Sequence, residues 1–309
     1  MKEQQTILIS SAFILLAALF FFGRTVAYKE NNIAQTTTKN EAGFDIHQYI
    51  AKVKKQLTPS KIASLNKLED GFIQQDPLSK QTTGYRKLAA FWKDSVQLFE
   101  PYAYYTALSA KLENSEKSMT FAANLMLDNL RSGTEGALNK TWIANEAKQL
   151  FEKTLLINPR NDSLSIGLGA CYIYCTTTDK PEETMQGIQR ILAVVRKDST
   201  NMYAQFMLGV GGLVSKQYPK AIDRFITVLK HEPNNLEAMF NLAEAYELNG
   251  DKESAVKWYT ICQNIIKVPR AKKELEDRIS QLRGKSVSYT HLDVYKRQPI
   301  NNKGFKEKA

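Results

Sequence analysis

Cysteine is scarce in this sequence, with 3 in 309 residues: Cys171, Cys175 and Cys262. That is too few for a disulfide framework. Cys171 and Cys175 stand four apart and share a helix face, which suits small apolar filler and leaves a redox pair as the alternative reading. Histidine is equally rare, at 3 residues. No H-E-x-x-H or clustered His/Cys/Asp/Glu spacing is present, so the sequence offers no metal site. A phosphate-cradling glycine loop is also missing. Gly209, Gly211 and Gly212 fall inside a helical pattern rather than after a strand, and close helix packing is the better reading of them. There is no nucleophile elbow, and the carboxylates are scattered over expected solvent faces. These absences leave no assignable catalysis, cofactor or small-molecule substrate. A strong polyanion-binding signal is missing too. The formal charge is +10, but the stretch 284–309 holds six Lys/Arg against two Asp/Glu, and the rest is spread thinly. Nucleic acid is therefore not an expected partner.

What is present begins with an apolar run. A short polar stub, 1–5, precedes 6–23 (TILISSAFILLAALFFFG), which carries no charge. As a helix the run would reach roughly 27 Å, close to the thickness of a hydrocarbon core. A cleaved signal peptide would have a shorter apolar region and an A-x-A-like site, whereas Arg24 follows directly here. The sequence thus predicts a transmembrane anchor at 6–23 and a polar tether over 24–43. Basic residues lie on both sides of the run. The short basic start resembles an export signal, so the expected placement is a single-pass anchor in a bacterial inner membrane with a periplasmic domain, the cytoplasmic orientation staying open.

Beyond the tether the pattern is helical throughout. Segment 44–80 holds two short amphipathic stretches, one running from Phe44 to Lys55 and one after Pro59 with Ile62, Leu65 and Leu68 at helical spacing. Asp76-Pro77 breaks the pattern. From Met202 to Pro269 two consecutive segments, 202–235 and 236–269, repeat at a spacing of about 34 residues. Leu208-Gly209, Ala221, Phe225 and Pro233 mark the first. Leu242-Ala243, Tyr246, Gly250, Ala255 and Tyr259 mark the second. A small residue facing a large one is what lets two helices cross closely. On these residues the chain resembles the tetratricopeptide repeat (TPR) family. Segment 162–201 fits with Leu168-Gly169, Tyr172, Gly187 and Ile191, and with extra residues between its helices. Segment 84–161 fits only as degenerate hairpins, best marked by Ala147, Phe151 and Pro159. Segment 270–283 reads as a capping helix, with Leu275, Ile279 and Leu282 on one stripe.

The resemblance implies an all-α fold, a TPR-like right-handed superhelix of helix-turn-helix repeats behind an N-terminal transmembrane helix. It also implies a concave binding face lined by the first helix of each unit. In this sequence those positions are Tyr203, Phe206, Val210, Leu213 and Val214, then Glu237, Phe240, Glu244, Glu247 and Leu248. In the preceding unit they are Ser163, Ile166, Ala170, Ile173 and Tyr174. Asn241 occupies the Asn position of the carboxylate-clamp variety, whose basic residues are missing. The expected partner is a protein or peptide, an apolar or basic segment. The expected function is that of a membrane-anchored adaptor without catalysis. An envelope assembly factor, of the cytochrome c maturation or secretion-translocon kind, and an enzyme in the N-terminal helices are the alternatives. For Phe240 the competing role is packing between repeats.

The stretch 287–298 (VSYTHLDVYKRQ) is of another kind. One possible coding sequence for it is, but for its last two bases, a perfect inverted repeat. It resembles two transposase mosaic-end sequencing adapters joined head to head and translated in frame. The expectation is an assembly artefact within a tail, 284–309, so His291, Asp293, Tyr289 and Tyr295 belong to no site.

Overall fold

The computed structural model describes residues 44–71, 76–133, 137–175 and 181–284. The expected anchor at 6–23, the tether, the insertion loop around 176–180 and the adapter-like stretch lie outside the described residues. Among the described residues there are thirteen α-helices and no strand. None of these helices is long and apolar enough to cross a membrane.

The chain enters through α1 (Ile46–Lys54) and α2 (Pro59–Glu69). Asp45 caps α1 by accepting from the N–H groups of His47 and Gln48, and Pro59 supplies a preset φ at the first turn of α2. Helix α3 (Leu78–Ala90) starts directly after Pro77 and so reaches across the boundary expected between 44–80 and 84–161. The physical reason is that Pro77 closes the preceding segment and leaves Leu78 free to begin a new helix. A π-helical turn, Phe91–Val96, extends α3 and ends at Gln97 in the left-handed region, φ 62°.

Five helix pairs follow: α3 with α4 (Phe99–Glu113), α5 (Glu116–Ser132) with α6 (Ala137–Ile157), α7 (Asp162–Tyr174) with α8 (Pro181–Lys197), α9 (Met202–Val214) with α10 (Tyr218–His231), and α11 (Leu236–Leu248) with α12 (Lys252–Ile265). Each pair is packed along its length, and the second helix of each meets the first helix of the next. Short connections force such partners to be antiparallel neighbours. Three of the first helices start from the same device. Asn161, Asn201 and Asn235 accept from the N–H groups of Leu164, Ala204 and Ala238, at 3.3, 2.9 and 2.9 Å.

The crossings are set by missing side chains. A Cβ on Gly209 would lie 2.5 Å from the Phe225 ring, and one on Gly187 would lie 2.4 Å from the Gly169 carbonyl oxygen. Contact at this range, with a ring at Gly209 and with backbone at Gly187, is close helix packing, as expected for Gly209. Ala255 and Tyr259, at 0% and 1% exposure, fill the crossing of α11 and α12. Helix α13 (Pro269–Leu282) closes the stack. It buries Ala271, Leu275 and Ile279 against the cluster around Tyr259 and Cys262, while Lys272, Lys273 and Glu276 face water. A terminal element with one polar side is what ends such a stack.

Candidate functional site: the first-helix face

From α5 onward the first helices of successive pairs touch one another: α5 meets α7, α7 meets α9, and α9 meets α11. The second helices α6, α8, α10 and α12 make no comparable approach to each other. The first-helix side is therefore the inner side of this part of the stack.

The expected partner-binding residues divide into two groups. Phe206, Val210 and Phe240 are buried. The Phe206 ring lies 5.6 Å from Phe225, and the Phe240 ring 5.6 Å from Tyr259. Each aromatic packs against the second helix of its own pair, so Phe240 is core within its repeat rather than the packing between repeats set out as its alternative. In the preceding unit Ile166, Ala170 and Ile173 are buried likewise. Tyr203, Val214 and Leu248 stay in contact with solvent.

The polar members are engaged within the chain. Glu247 accepts from the Tyr259 hydroxyl at 3.0 Å and from Arg278 Nε at 2.8 Å, with a second Arg278 contact to its other oxygen. It thus ties the capping helix to the last pair. Burial first, and then the Glu247 carboxylate, push the Tyr259 hydroxyl well above its usual range. Asn241 donates to the Glu237 carbonyl at 2.7 Å, one turn back along its own helix. Its amide serves the backbone there. Glu244 is half-buried on the same stripe.

Glu237 has the farthest-reaching contact. Arg131 Nη2, at the end of α5, donates to both Glu237 oxygens at 2.9 and 2.7 Å across 106 positions of sequence. Asp128 lies 3.6 Å from Arg131 Nη1. Tyr174 and Tyr203, from the two intervening pairs, complete the surround. Burial raises both hydroxyl pKa values and the Arg131 charge draws them down; Asp128 stays above the ordinary carboxylate value, raised by partial desolvation, lowered by Arg131 and raised again by Glu237. One cluster therefore joins α5, α7, α9 and α11. Phe121, 58% exposed, lies on the Asp128 side of α5.

Sequence reasoning placed Tyr174, Tyr203 and Glu237 on this face but missed Arg131, Asp128 and Phe121. The unit containing α5 lacks the Leu-Gly marker that would have given its register. A charge in the last turn of a helix was the one signal available.

Elsewhere, Cys171, Cys175 and Cys262 are buried thiols. Burial pushes the Cys262 thiol up to about 12 and raises Cys171 as well, which suits packing rather than thiolate chemistry. Among the described residues no group of three or more His, Cys, Asp or Glu is placed to hold a metal ion. Two open depressions, of about 600 and 420 Å³, lie around Tyr172, Arg190 and Leu156 on the α6–α8 side. Neither includes a partner-binding candidate or a nucleophile–base pair.

Residues 213–260 match the family model of the tetratricopeptide repeat. No curated protein matches the chain in sequence. Among solved structures the chain is similar to MamA, residues 41 to the end, from Desulfovibrio magneticus RS-1, with 17% identity and a TM-score of 0.42 over 61% of this chain and 97% of that one. It is similar to PilW, a type IV pilus biogenesis factor, with 18% identity and a TM-score of 0.47 over 66% and 87%. It is also similar to YrrB, a TPR protein with an unusual peptide-binding site, with 17% identity and a TM-score of 0.39 over 65% and 98%.

Proposed function

We propose that this chain is a membrane-anchored adaptor that binds a protein partner on the first-helix face of a TPR-like stack and carries out no chemistry itself. One observation carries the reading. The first helices present Phe121, Tyr203, Val214 and Leu248 to solvent, and Arg131 pairs with Glu237 across the same series of helices. Large apolar side chains next to charges able to pair are the ingredients of a protein interface. The anchor is the apolar run 6–23, and the stack stands on the periplasmic side of the membrane.

The test is photocrosslinking in membranes with the full chain. A benzophenone amino acid at Tyr203 or Val214 should give the same protein adduct. One at Lys257, exposed on α12, should not. Adducts from Lys257 alone would move the binding surface to the second helices. Anchoring is tested separately by alkaline carbonate extraction. The full chain should stay in the pellet, and a chain lacking 1–43 should leave it.

A further inference from the structure

We infer that Arg131–Glu237 is a clasp in which Glu237 occupies an arginine site meant for a partner, and that an acidic segment of that partner takes its place. The inference rests on the reading of the first-helix face as a protein-binding surface.

The pair is unusual first in its reach. It joins the second helix pair to the fifth, past Tyr174 and Tyr203 of the two between them. Each charge also has a local support in its own helix. Arg131 lies in the last turn of α5 and Glu237 in the first turn of α11, where the helix dipoles favour a cation and an anion respectively.

The geometry falls short of the strongest available. Both Glu237 oxygens sit on the single nitrogen Nη2. A carboxylate meeting a guanidinium fork to fork would use two nitrogens with parallel bonds. Arg131 Nε is buried and has no hydrogen-bond partner. A donor left in that state is costly, and Glu237 as it sits does not relieve it, although Tyr174 also hydrogen-bonds the guanidinium.

The two halves of the pair also differ in burial. The Arg131 side chain is 16% exposed and that of Glu237 is 42%. Pulling the arginine away would strand a buried charge, which is strongly unfavourable. Releasing Glu237 returns it to water at little cost. The exchange that preserves the site is therefore carboxylate for carboxylate. Asp128 stays beside Nη1, and the local charge is unchanged. This selects an acidic partner segment, with an apolar neighbour to reach Phe121 or Tyr203. A basic segment would compete for the exposed Glu237 and leave Arg131 alone.

The experiment measures binding of a blocked octaglutamate peptide to the full chain in nanodiscs at low salt by calorimetry. Glu237→Gln removes the internal competitor and should bind at least about tenfold more tightly than the unaltered chain. Glu253→Gln, which removes a negative charge exposed on α12 and away from the first-helix face, should give no such gain. Adding Arg131→Met to Glu237→Gln should abolish the gain. Arg131→Lys, which keeps the charge but not the planar fork, should lose most of it. A blocked octalysine peptide should not gain from Glu237→Gln. The clasp assignment fails if Glu237→Gln binds no better than the unaltered chain, if Glu253→Gln matches it, or if the gain survives Arg131→Lys undiminished. If crosslinks from Tyr203 persist while the peptide shows none of this, the clasp alone is wrong. If those crosslinks are absent as well, the binding-face reading beneath it falls.

Discussion

At Gly209 one absent methyl group decides how closely α9 and α10 approach. Alanine is worth about 1 kcal/mol over glycine in a helix interior. Here its Cβ would meet the fully buried Phe225 ring at 2.5 Å, and overpacking costs roughly 1–3 kcal/mol. Gly209→Ala should therefore lower stability in urea denaturation, and Phe225→Leu in the same chain should recover part of the loss. The turn residues give a prediction of opposite sign. Gly250 holds φ +87°, and one repeat earlier Lys216 holds φ 60° at the equivalent place. A side chain in that region carries a strain of roughly 1–2 kcal/mol, against a glycine entropy cost of roughly 0.5–1. Lys216→Gly should raise the urea midpoint by an amount worth about 0.5 kcal/mol. Gly250→Lys should lower it. Phe240 is the most informative residue for function. Buried against Tyr259, its truncation to alanine should cost roughly 3–5 kcal/mol and lower the melting temperature, so any loss of partner binding follows from unfolding. An unchanged melt would return Phe240 to the interface.

The helix pair is the unit that the repeat pattern describes, and its crossing point is its most sensitive place. Ala255 is fully buried between α11 and α12, so Ala255→Leu forces methylenes into closed space and should cost roughly 1–3 kcal/mol by thermal or urea melting. Near-neutral behaviour would mean that the register of the repeats is misplaced. The same scale shows what periodicity leaves unstated. The Leu-small-aromatic markers locate α9 to α12. They say nothing of the asparagine caps, because Asn161, Asn201 and Asn235 each cap through a polar side-chain oxygen and leave no hydrophobic trace. Around α3 to α6 the markers fade. There the fold rests on irregular aromatic packing, with Trp92 fully enclosed and the Tyr85 ring stacked on Tyr105.

For the molecule as a whole, tyrosine sets the response to alkali. Burial raises the hydroxyls of Tyr105, Tyr174 and Tyr259, and Tyr104 reaches about 12. The folded state thus holds these protons more tightly than the unfolded chain, in which tyrosine ionises near pH 10. With more protons bound in the folded state, stability falls as pH rises past the unfolded value. The urea midpoint should be flat from neutrality to about pH 9 and then decline, with the phenolate absorbance appearing together with unfolding. A phenolate signal from all tyrosines near pH 10 without unfolding would contradict the burial. The chain's own extent is tested in DNA. Amplification across codons 280 to 300 from source material should give a sequence without the inverted repeat of 287–298.

The sequence by itself determined the helical class, the repeats from Met202 to Pro269 and the packing role of the glycines. Each is a local property, written in spacing and residue type over a few turns. Tertiary structure decided which first-helix residues remain available. Tyr203 and Phe240 both hold concave-face positions, yet one meets solvent and the other packs on Tyr259 of its own pair, a side-chain contact that spacing alone does not state. Tertiary structure alone brought Arg131 to Glu237. Two residues 106 apart share no period, and only the curvature accumulated over the intervening helix pairs sets them side by side.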